Sequence, residues 1–171
     1  AFQPNTLTEQ MRAEGKALMC CAVALEDVEF EVPIESLRAA AASVIRYSGR
    51  VERMERLSDT VMRVMLSLPG DQRISFVAGQ YINIILDDGE RRAFSFANPP
   101  HENEFIELHV RLIPGGRFTT HVFERMQVGD AIEFEGPVGR FALNASSPRP
   151  ILFVAGGTGF APIKSIVEDA F

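Results

Sequence analysis

Residues 80–116 read QYINIILDDGERRAFSFANPPHENEFIELHVRLIPGG. Three runs rich in β-branched and aromatic residues, 80–86, 91–97 and 105–112, lie between turn formers. The turns are Asp87-Asp88-Gly89, Asn98-Pro99-Pro100 and Pro114-Gly115-Gly116. Glycine supplies positive φ, proline presets φ, and Asx side chains bond their own backbone, so these clusters reverse the chain. The same texture continues outward. Runs 44–56 and 60–68 precede the stretch, with Pro69-Gly70-Asp71 after the second, and run 131–135 follows Gly129-Asp130. Six short runs punctuated in this way predict a closed or nearly closed antiparallel barrel, a mainly β fold. One helical interruption is expected at 118–126, where Phe118, Val122, Phe123 and Met126 share a face.

The flanks follow other rules. Residues 146–150 (SSPRP) form a stiff polar linker, and 151–155 (ILFVA) is an unalternated apolar run. Such a run suits a strand of a parallel sheet buried on both faces. Gly156-Gly157-Thr158-Gly159 and Pro162 then turn the chain into a new helix, so 150–171 reads as the first β-α unit of an α/β domain. Upstream, 6–16 predicts a short helix, with Thr6 or Thr8 as cap and Gly15 at its end. The apolar runs 17–23 and 28–32 complete a small α+β segment, 1–34. Residues 35–42 form a linker before the barrel at 43–145. The chain opens on Ala1 and closes on Phe171 in mid-helix, so an internal fragment is expected.

Composition narrows the function. The 171 residues are 46% hydrophobic, 23% charged and carry a net charge of −6. That apolar content excludes a disordered chain, and the acidic balance argues against a nucleic-acid partner. Fifteen arginines stand against two lysines, so single arginines in special places deserve a role. Cys20 and Cys21 are adjacent and alone, which excludes a disulfide framework. No apolar stretch approaches membrane-span length and no secretory leader pattern is present, so no membrane partner and a cytoplasmic location are expected.

Three segments carry chemistry. In 155–162, glycines permit close backbone approach and a helix begins with its amides free, a site for an anion such as a dinucleotide pyrophosphate. It is neither a Walker A loop nor G-x-G-x-x-G, and a tight β–α turn without ligand is the alternative. In 91–98, strand alternation points Arg92, Phe94 and Phe96 one way and Ala93 and Ser95 the other. Charge, aromatic face and hydroxyl together suit a phosphate-bearing planar ligand; an ordinary barrel strand is the alternative. In 114–120, amides at Gly116 and Arg117 with the Thr119 hydroxyl can bracket a phosphate, or Thr119 or Thr120 can simply cap a helix. His101, His109 and His121 are scattered without ligand partners, which argues against a metal site.

Arg92–Ser95, Gly115–Thr119 and Gly156–Pro162, in this order, resemble the ferredoxin–NADP reductase superfamily. Its flavin domain carries Arg-x-Tyr-Ser and Gly-Gly-x-x-Ser, and its nucleotide domain opens with Gly-Gly-Thr-Gly-x-Ala-Pro. Residues 107–111 (ELHVR) suit its second flavin-lining strand and 136–141 its exit turn. The resemblance implies that Arg92 contacts the FAD pyrophosphate, with Ala93 beside it. Phe94, in place of the usual Tyr, stacks on the isoalloxazine, and Ser95, the catalytic residue, bonds near flavin N5. It further implies that Gly115, Gly116, Arg117, Phe118 and Thr119 complete the phosphate site and that His109, Val110 and Arg111 line the flavin. Gly156, Gly157, Thr158, Gly159 and Pro162 would begin the NAD(P) site. Leu18-Met19-Cys20 and 27–32 resemble the tail of a plant-type [2Fe–2S] ferredoxin domain, making Cys20 a cluster ligand, although the C-x4-C-x2-C run is missing. The implied parent is an iron–sulfur reductase of the CDP-6-deoxyglucoseen or ring-hydroxylating oxygenase type. It passes hydride from NAD(P)H to FAD and single electrons through a [2Fe–2S] centre to an acceptor protein or domain. A non-catalytic flavin-binding electron-transfer module is the alternative for the chain as it stands.

Overall fold

The computed structural model describes residues 9–14, 44–70 and 72–171. The chain divides into two compact units, Ala1–Ser36 and Leu37–Phe171. In the first, α1 (Glu9–Ala13) falls within the expected 6–16 helix. Its expected caps, the runs 17–23 and 28–32, Cys20, Cys21 and the linker 35–42 lie outside the described residues.

The second unit holds the barrel. Its strands are β1 (Ile45–Ser58), β2 (Val61–Ser67), β3 (Tyr81–Ile85), β4 (Arg91–Ser95), β5 (Ile106–Arg111) and β6 (Ala131–Val138). They form one antiparallel sheet in the order β4-β3-β6-β1-β2-β5. Strand period two decides which side chains enter. Met62, Val64 and Leu66 of β2, Ile82 and Ile84 of β3, Ile106, Leu108 and Val110 of β5, and Ile132 and Phe134 of β6 are all buried. Each contributes about 1.5–3 kcal/mol by burial. The long β1 serves two neighbours, pairing with β6 from Ile45 to Arg50 and with β2 from Arg50 to Ser58. A register shift between Val51 and Arg53 marks the irregularity where it leaves one partner for the other.

The edge strands β4 and β5 meet through a single bridge, Phe96 to Leu108, which nearly closes the barrel. Phe96 is fully buried and stacks on Phe76 at 3.8 Å between ring centroids. Helix α2 (Arg117–Glu124) packs Phe118 and Val122 into the core, and Met126 just beyond it is also buried. The expected helix at 118–126 is thus present, starting one residue earlier and ending two residues earlier. Strand β6 outruns its expected end at residue 135 and continues to Val138, pairing it with Tyr81.

One expectation fails. Residues 151–155 form no strand, and Leu152 and Val154 are 88% and 84% exposed. A strand buried on both faces needs parallel neighbours to bond its backbone and helices to cover it. No parallel strand exists among the described residues. The helical half of the β-α unit does form. A 3-10 turn at Gly157–Gly159 leads into α3 (Phe160–Ala170), which buries Ala161, Ile163, Ser165 and Ile166. Pro162 is the third residue of α3 rather than the first, still within the turn where its missing N–H is harmless.

Candidate functional site

On β4, Arg92 and Phe94 stand opposite Ile84 and Ile82, so they share the barrel-facing side. Ala93 and Ser95 stand opposite Asn83 and Tyr81 on the other side, as alternation requires. Phe94 is half-buried and tilts against Phe118 at 5.3 Å, which joins β4 to the start of α2. At the end of β4 nearest the β3–β4 turn, Arg92 Nη2 lies 2.6 Å from Glu90 Oε2, and its Nη1 donates to the Arg91 carbonyl at 2.9 Å. Arg117 comes from α2 to the same turn. It pairs with Asp88 and lies 4.0 Å from the same Glu90 oxygen. The Arg117 hydrogen bond is the main reason that the Asp88 carboxyl sits below its ordinary pKa, and the same bond raises Arg117. Two guanidiniums from separate elements therefore converge on exposed carboxylates that an anionic ligand can displace.

The α2 terminus is held by its own turn. Gly115 has φ +75°, and a side chain on Gly116 would place Cβ 2.6 Å from Thr119 Oγ1 and 3.0 Å from the Ile113 carbonyl. Only glycine fits both positions. The Gly116 amide already donates to Ile113 O at 2.8 Å. Thr119 Oγ1 accepts from the Ile113 amide at 3.1 Å and lies 3.3 Å from the Ile113 and Gly116 carbonyls. Thr120 N–H bonds Gly116 O, so the helix amides left without an intrahelical partner are those of Arg117, Phe118 and Thr119. Two expected phosphate donors, the Gly116 amide and the Thr119 hydroxyl, are thus used to build the loop. The donors left over are the three amides behind it, beside the Arg117 guanidinium.

The expected flavin-lining strand splits by parity. Val110 is 1% exposed, so its side chain belongs to the core and cannot reach a ligand. Glu107, His109 and Arg111 take the opposite face. His109 Nε2 lies 2.9 Å from Glu107 Oε1, and Lys164 Nζ from α3 lies 3.6 Å from the same oxygen. Glu107 is only 8% exposed. The His109 hydrogen bond is the main cause of its lowered pKa; Lys164, His109 and Arg63 charges reinforce it against burial. The Leu112 amide bonds Thr60 O at the β2 side, and alternation turns the Arg111 amide toward β4, past the single closing bridge.

Arg111 also reaches the glycine-rich turn. Gly157 has φ +55°, and a Cβ there would stand 3.2 Å from Arg111 Nη1. Gly156 and Gly159 have open space where a Cβ would stand. Gly157 and Thr158 line a groove of about 390 Å³ whose other wall includes Ser58, Glu107, His109 and Lys164.

Sequence reasoning passed over the residues that join α3 to the barrel. Lys164 Nζ donates to Ala97 O at 2.8 Å and pairs with Glu168, while the fully buried Ser165 Oγ donates to Asn98 O at 2.8 Å. The buried Asn98 side chain donates to the Glu102 and Phe105 carbonyls at 2.7 and 3.0 Å and accepts from the Glu107 amide at 2.9 Å. A signal for half of this was legible: Glu107 and His109 are two apart on a strand, hence on one face. Among the described residues no group of His, Cys, Asp and Glu is placed to hold a metal ion, and no helix is long and apolar enough to cross a membrane.

A six-stranded antiparallel barrel with a helix across it, an arginine pair at its mouth and a glycine-rich turn beside β5 defines a flavin-binding barrel like that of ferredoxin–NADP reductases. The chain belongs to the oxidoreductase FAD-binding domain family, whose profile matches residues 48–143. It is 40% identical over 169 residues to the terephthalate 1,2-dioxygenase reductase component 1 of Comamonas, covering 99% of this chain and 50% of that protein. It is 38% identical over 162 residues to the Yersinia pestis CDP-6-deoxy-L-threo-D-glycero-4-hexulose-3-dehydrase reductase, covering 95% of this chain and 48% of the relative. The chain therefore spans about half the length of the curated relatives it matches. Among solved structures, an Amycolatopsis cytochrome P450 reductase superposes with a TM-score of 0.69 at 31% identity, over 97% of this chain and 50% of that one. Phthalate dioxygenase reductase, described as modular for electron transfer from pyridine nucleotides to [2Fe–2S], gives 0.64 at 25% identity, over 74% and 39%.

Proposed function

We propose that this chain is the flavin-binding core of an NAD(P)H-dependent reductase that delivers electrons, through a [2Fe–2S] centre, to an acceptor protein or domain. The observation that carries this reading is the convergence of Arg92 and Arg117 on one Glu90 oxygen, at 2.6 and 4.0 Å, beside the free amides of α2. Those groups fit a pyrophosphate: two guanidiniums with displaceable partners and three N–H donors at a helix start. When bound, FAD supplies the conversion between two-electron and one-electron transfer. Arg92, Arg117 and the α2 amides would hold its phosphates. Phe94 would pack on the ring, and Ser95 would place its hydroxyl near N5. On β5, His109 and Arg111 would serve through the edge facing β4, while Val110, with its side chain in the core and its backbone turned to β2, would only hold the strand that carries them. Gly156, Gly157, Thr158 and Gly159 would receive the nicotinamide dinucleotide, with open space over two of the glycines.

In the same reading, 1–34 is the tail of a ferredoxin domain with Cys20 as a cluster ligand, 43–145 the flavin barrel and 150–171 the opening of the nucleotide domain, in a cytoplasmic protein. Its relatives named as reductase components of oxygenases and of a dehydrase support an acceptor of that general kind. The test is FAD titration of the purified chain, followed by anaerobic addition of NADH or NADPH to the chain within its full reading frame. Uptake of FAD with its visible band, then bleaching by the nucleotide, is the expected result. No FAD uptake would sink the reading, and uptake without bleaching would leave a flavin-binding module.

A further inference from the structure

The closing bridge of the barrel sets a register that brings three polar residues into a row. Phe96 pairs with Leu108, and the Ala97 amide donates to the Glu107 carbonyl at 2.8 Å. Antiparallel pairing that places Ala97 across from Glu107 places Ser95 across from His109, on the face opposite the buried Phe96 and Leu108. His109 in turn holds Glu107, Nε2 to Oε1 at 2.9 Å. The order across and along the strands is hydroxyl, imidazole, carboxylate: the imidazole–carboxylate bond is made in the structure, and Ser95 faces His109 by the register of the closing bridge.

We propose that Ser95, His109 and Glu107 form a proton relay between the reactive nitrogen of a bound flavin and solvent. The proposal rests on the flavin reading and on Ser95 standing near N5. Its chemical need is general. A reduced flavin carries a proton on N5 that must leave when two electrons pass on, one at a time, to a one-electron acceptor such as an iron–sulfur cluster. In the relay, the N5–H bond breaks as its proton passes to the Ser95 oxygen. The Ser95 hydroxyl proton passes to the free ring nitrogen of His109, and both electrons go to the acceptor, so charge and atoms balance.

The surroundings suit this task. Ionised Glu107 can only accept, so the bond at 2.9 Å fixes the His109 proton on Nε2 and leaves Nδ1 as the acceptor. Glu107 is therefore a positioning residue and His109 the relay group. The charged groups packed around the pair are Arg63 of β2, across the strand from His109, and Lys164 of α3. Arg63 also pairs with Glu55 and Lys164 with Glu168, and both cations help to keep Glu107 ionised. His109 also lines the groove beside Thr158, which gives the row an outlet.

The test uses the full chain loaded with FAD, photoreduced, and mixed with saturating ferricyanide, a one-electron acceptor that takes no proton. The rate is read from the returning flavin band, so only flavin-loaded molecules count. His109→Gln is expected to slow this rate roughly 10²-fold, with added imidazole restoring part of it and the solvent deuterium isotope effect rising. Glu107→Gln is expected to slow it less. Independently of turnover, proton NMR of the flavin-free chain is expected to show a hydrogen-bonded His109 Nε2–H that disappears in Glu107→Leu, which has no acceptor. A chain that takes up no FAD overturns the flavin reading and the relay together. An unchanged rate in His109→Gln, without imidazole response, overturns the relay alone. So does loss of FAD from both variants, since the row would then hold the flavin rather than move its proton.

Discussion

Replacing Asn98 by alanine removes three hydrogen bonds from one buried side chain, and the structure sets the size of the loss. Asn98 is 5% exposed; its amide donates to Glu102 O and Phe105 O, and its oxygen accepts from the Glu107 amide. A net contribution of about 1 kcal/mol for each bond gives roughly 3 kcal/mol. Two corrections pull in opposite directions. The carbonyls of Glu102 and Phe105 belong to a surface loop and regain water, which lowers the cost. The Glu107 amide sits in a buried residue and is left unpaired, which alone costs about 1–3 kcal/mol. The expected destabilisation is therefore about 2–4 kcal/mol, a large share of an ordinary domain stability of about 5–15 kcal/mol. Urea unfolding of the two proteins measures it as a shift of midpoint at constant slope. Asn98→Asp is a sharper control, because it keeps the acceptor for Glu107 but faces a carboxylate at two carbonyls; it is expected to lose at least as much. A loss below about 1 kcal/mol for Asn98→Ala would refute the reasoning that this side chain holds the β4–β5 connection.

Three further outcomes are expected. Arg92→Gln and Arg117→Gln each remove a charged donor; at about 1.5–3 kcal/mol per charged hydrogen bond, each raises the FAD dissociation constant roughly 10- to 100-fold, read by fluorescence titration, whereas Asp88→Asn does not. Gly157→Ala forces a left-handed residue, at about 1 kcal/mol, and presses a methyl against Arg111 Nη1. Weaker nucleotide binding with retained FAD uptake is expected, and equal loss of both counts against the division of sites. Glu107 has its pKa lowered by folding, so its contribution to stability is complete above roughly pH 4.3 and is lost as pH falls through the lower folded value. Glu107→Gln should flatten the acid side of the stability profile; an unchanged profile means that the His109 bond adds nothing.

The barrel was legible because its strands are bounded by turn residues and alternate, as in Met62, Val64 and Leu66 with Arg63 and Met65 between them. Local pattern carries that information. The run 151–155 misled for the same reason, since its hydrophobicity describes partners that the described residues do not contain. At the site, the sequence pointed to Arg92 and Arg117, and these converge on Glu90 beside the Gly115-Gly116 turn, whereas the second glycine turn stands against Arg111 of β5. It erred in treating 109–111 as one lining segment, although period two buries Val110 and turns His109 and Arg111 out. Thr119 looked like a phosphate donor because a hydroxyl near a helix start is ambiguous between ligand and loop. The bonds of Lys164 and Ser165 to Ala97 and Asn98 span 67 residues, and no local pattern encodes a contact at that separation.

Those two bonds decide how the two halves of the site are related. Ser95 to Asn98 is one continuous stretch, and its last two carbonyls are taken by successive residues of α3. The helix that follows the glycine-rich turn is therefore fixed to the end of the strand that bears Ser95, within one turn of itself. Arg111 against Gly157 adds a second connection from β5. The linker at 146–150, exposed along much of its length, adds little to this arrangement. The separation between the nucleotide turn and the flavin strand is then a property of the barrel itself, set by hydrogen bonds to backbone carbonyls that substitution of the Ala97 side chain would not remove. A hydride donor seated on Gly156–Gly159 would be placed relative to Ser95 by the same Asn98 that holds Glu107, the carboxylate that orients His109. Positioning for hydride arrival and for proton departure would then meet at one residue, through the Asn98 carbonyl for α3 and through the Asn98 side chain for Glu107, so Asn98→Ala would strike the second directly and the first only by shifting the backbone.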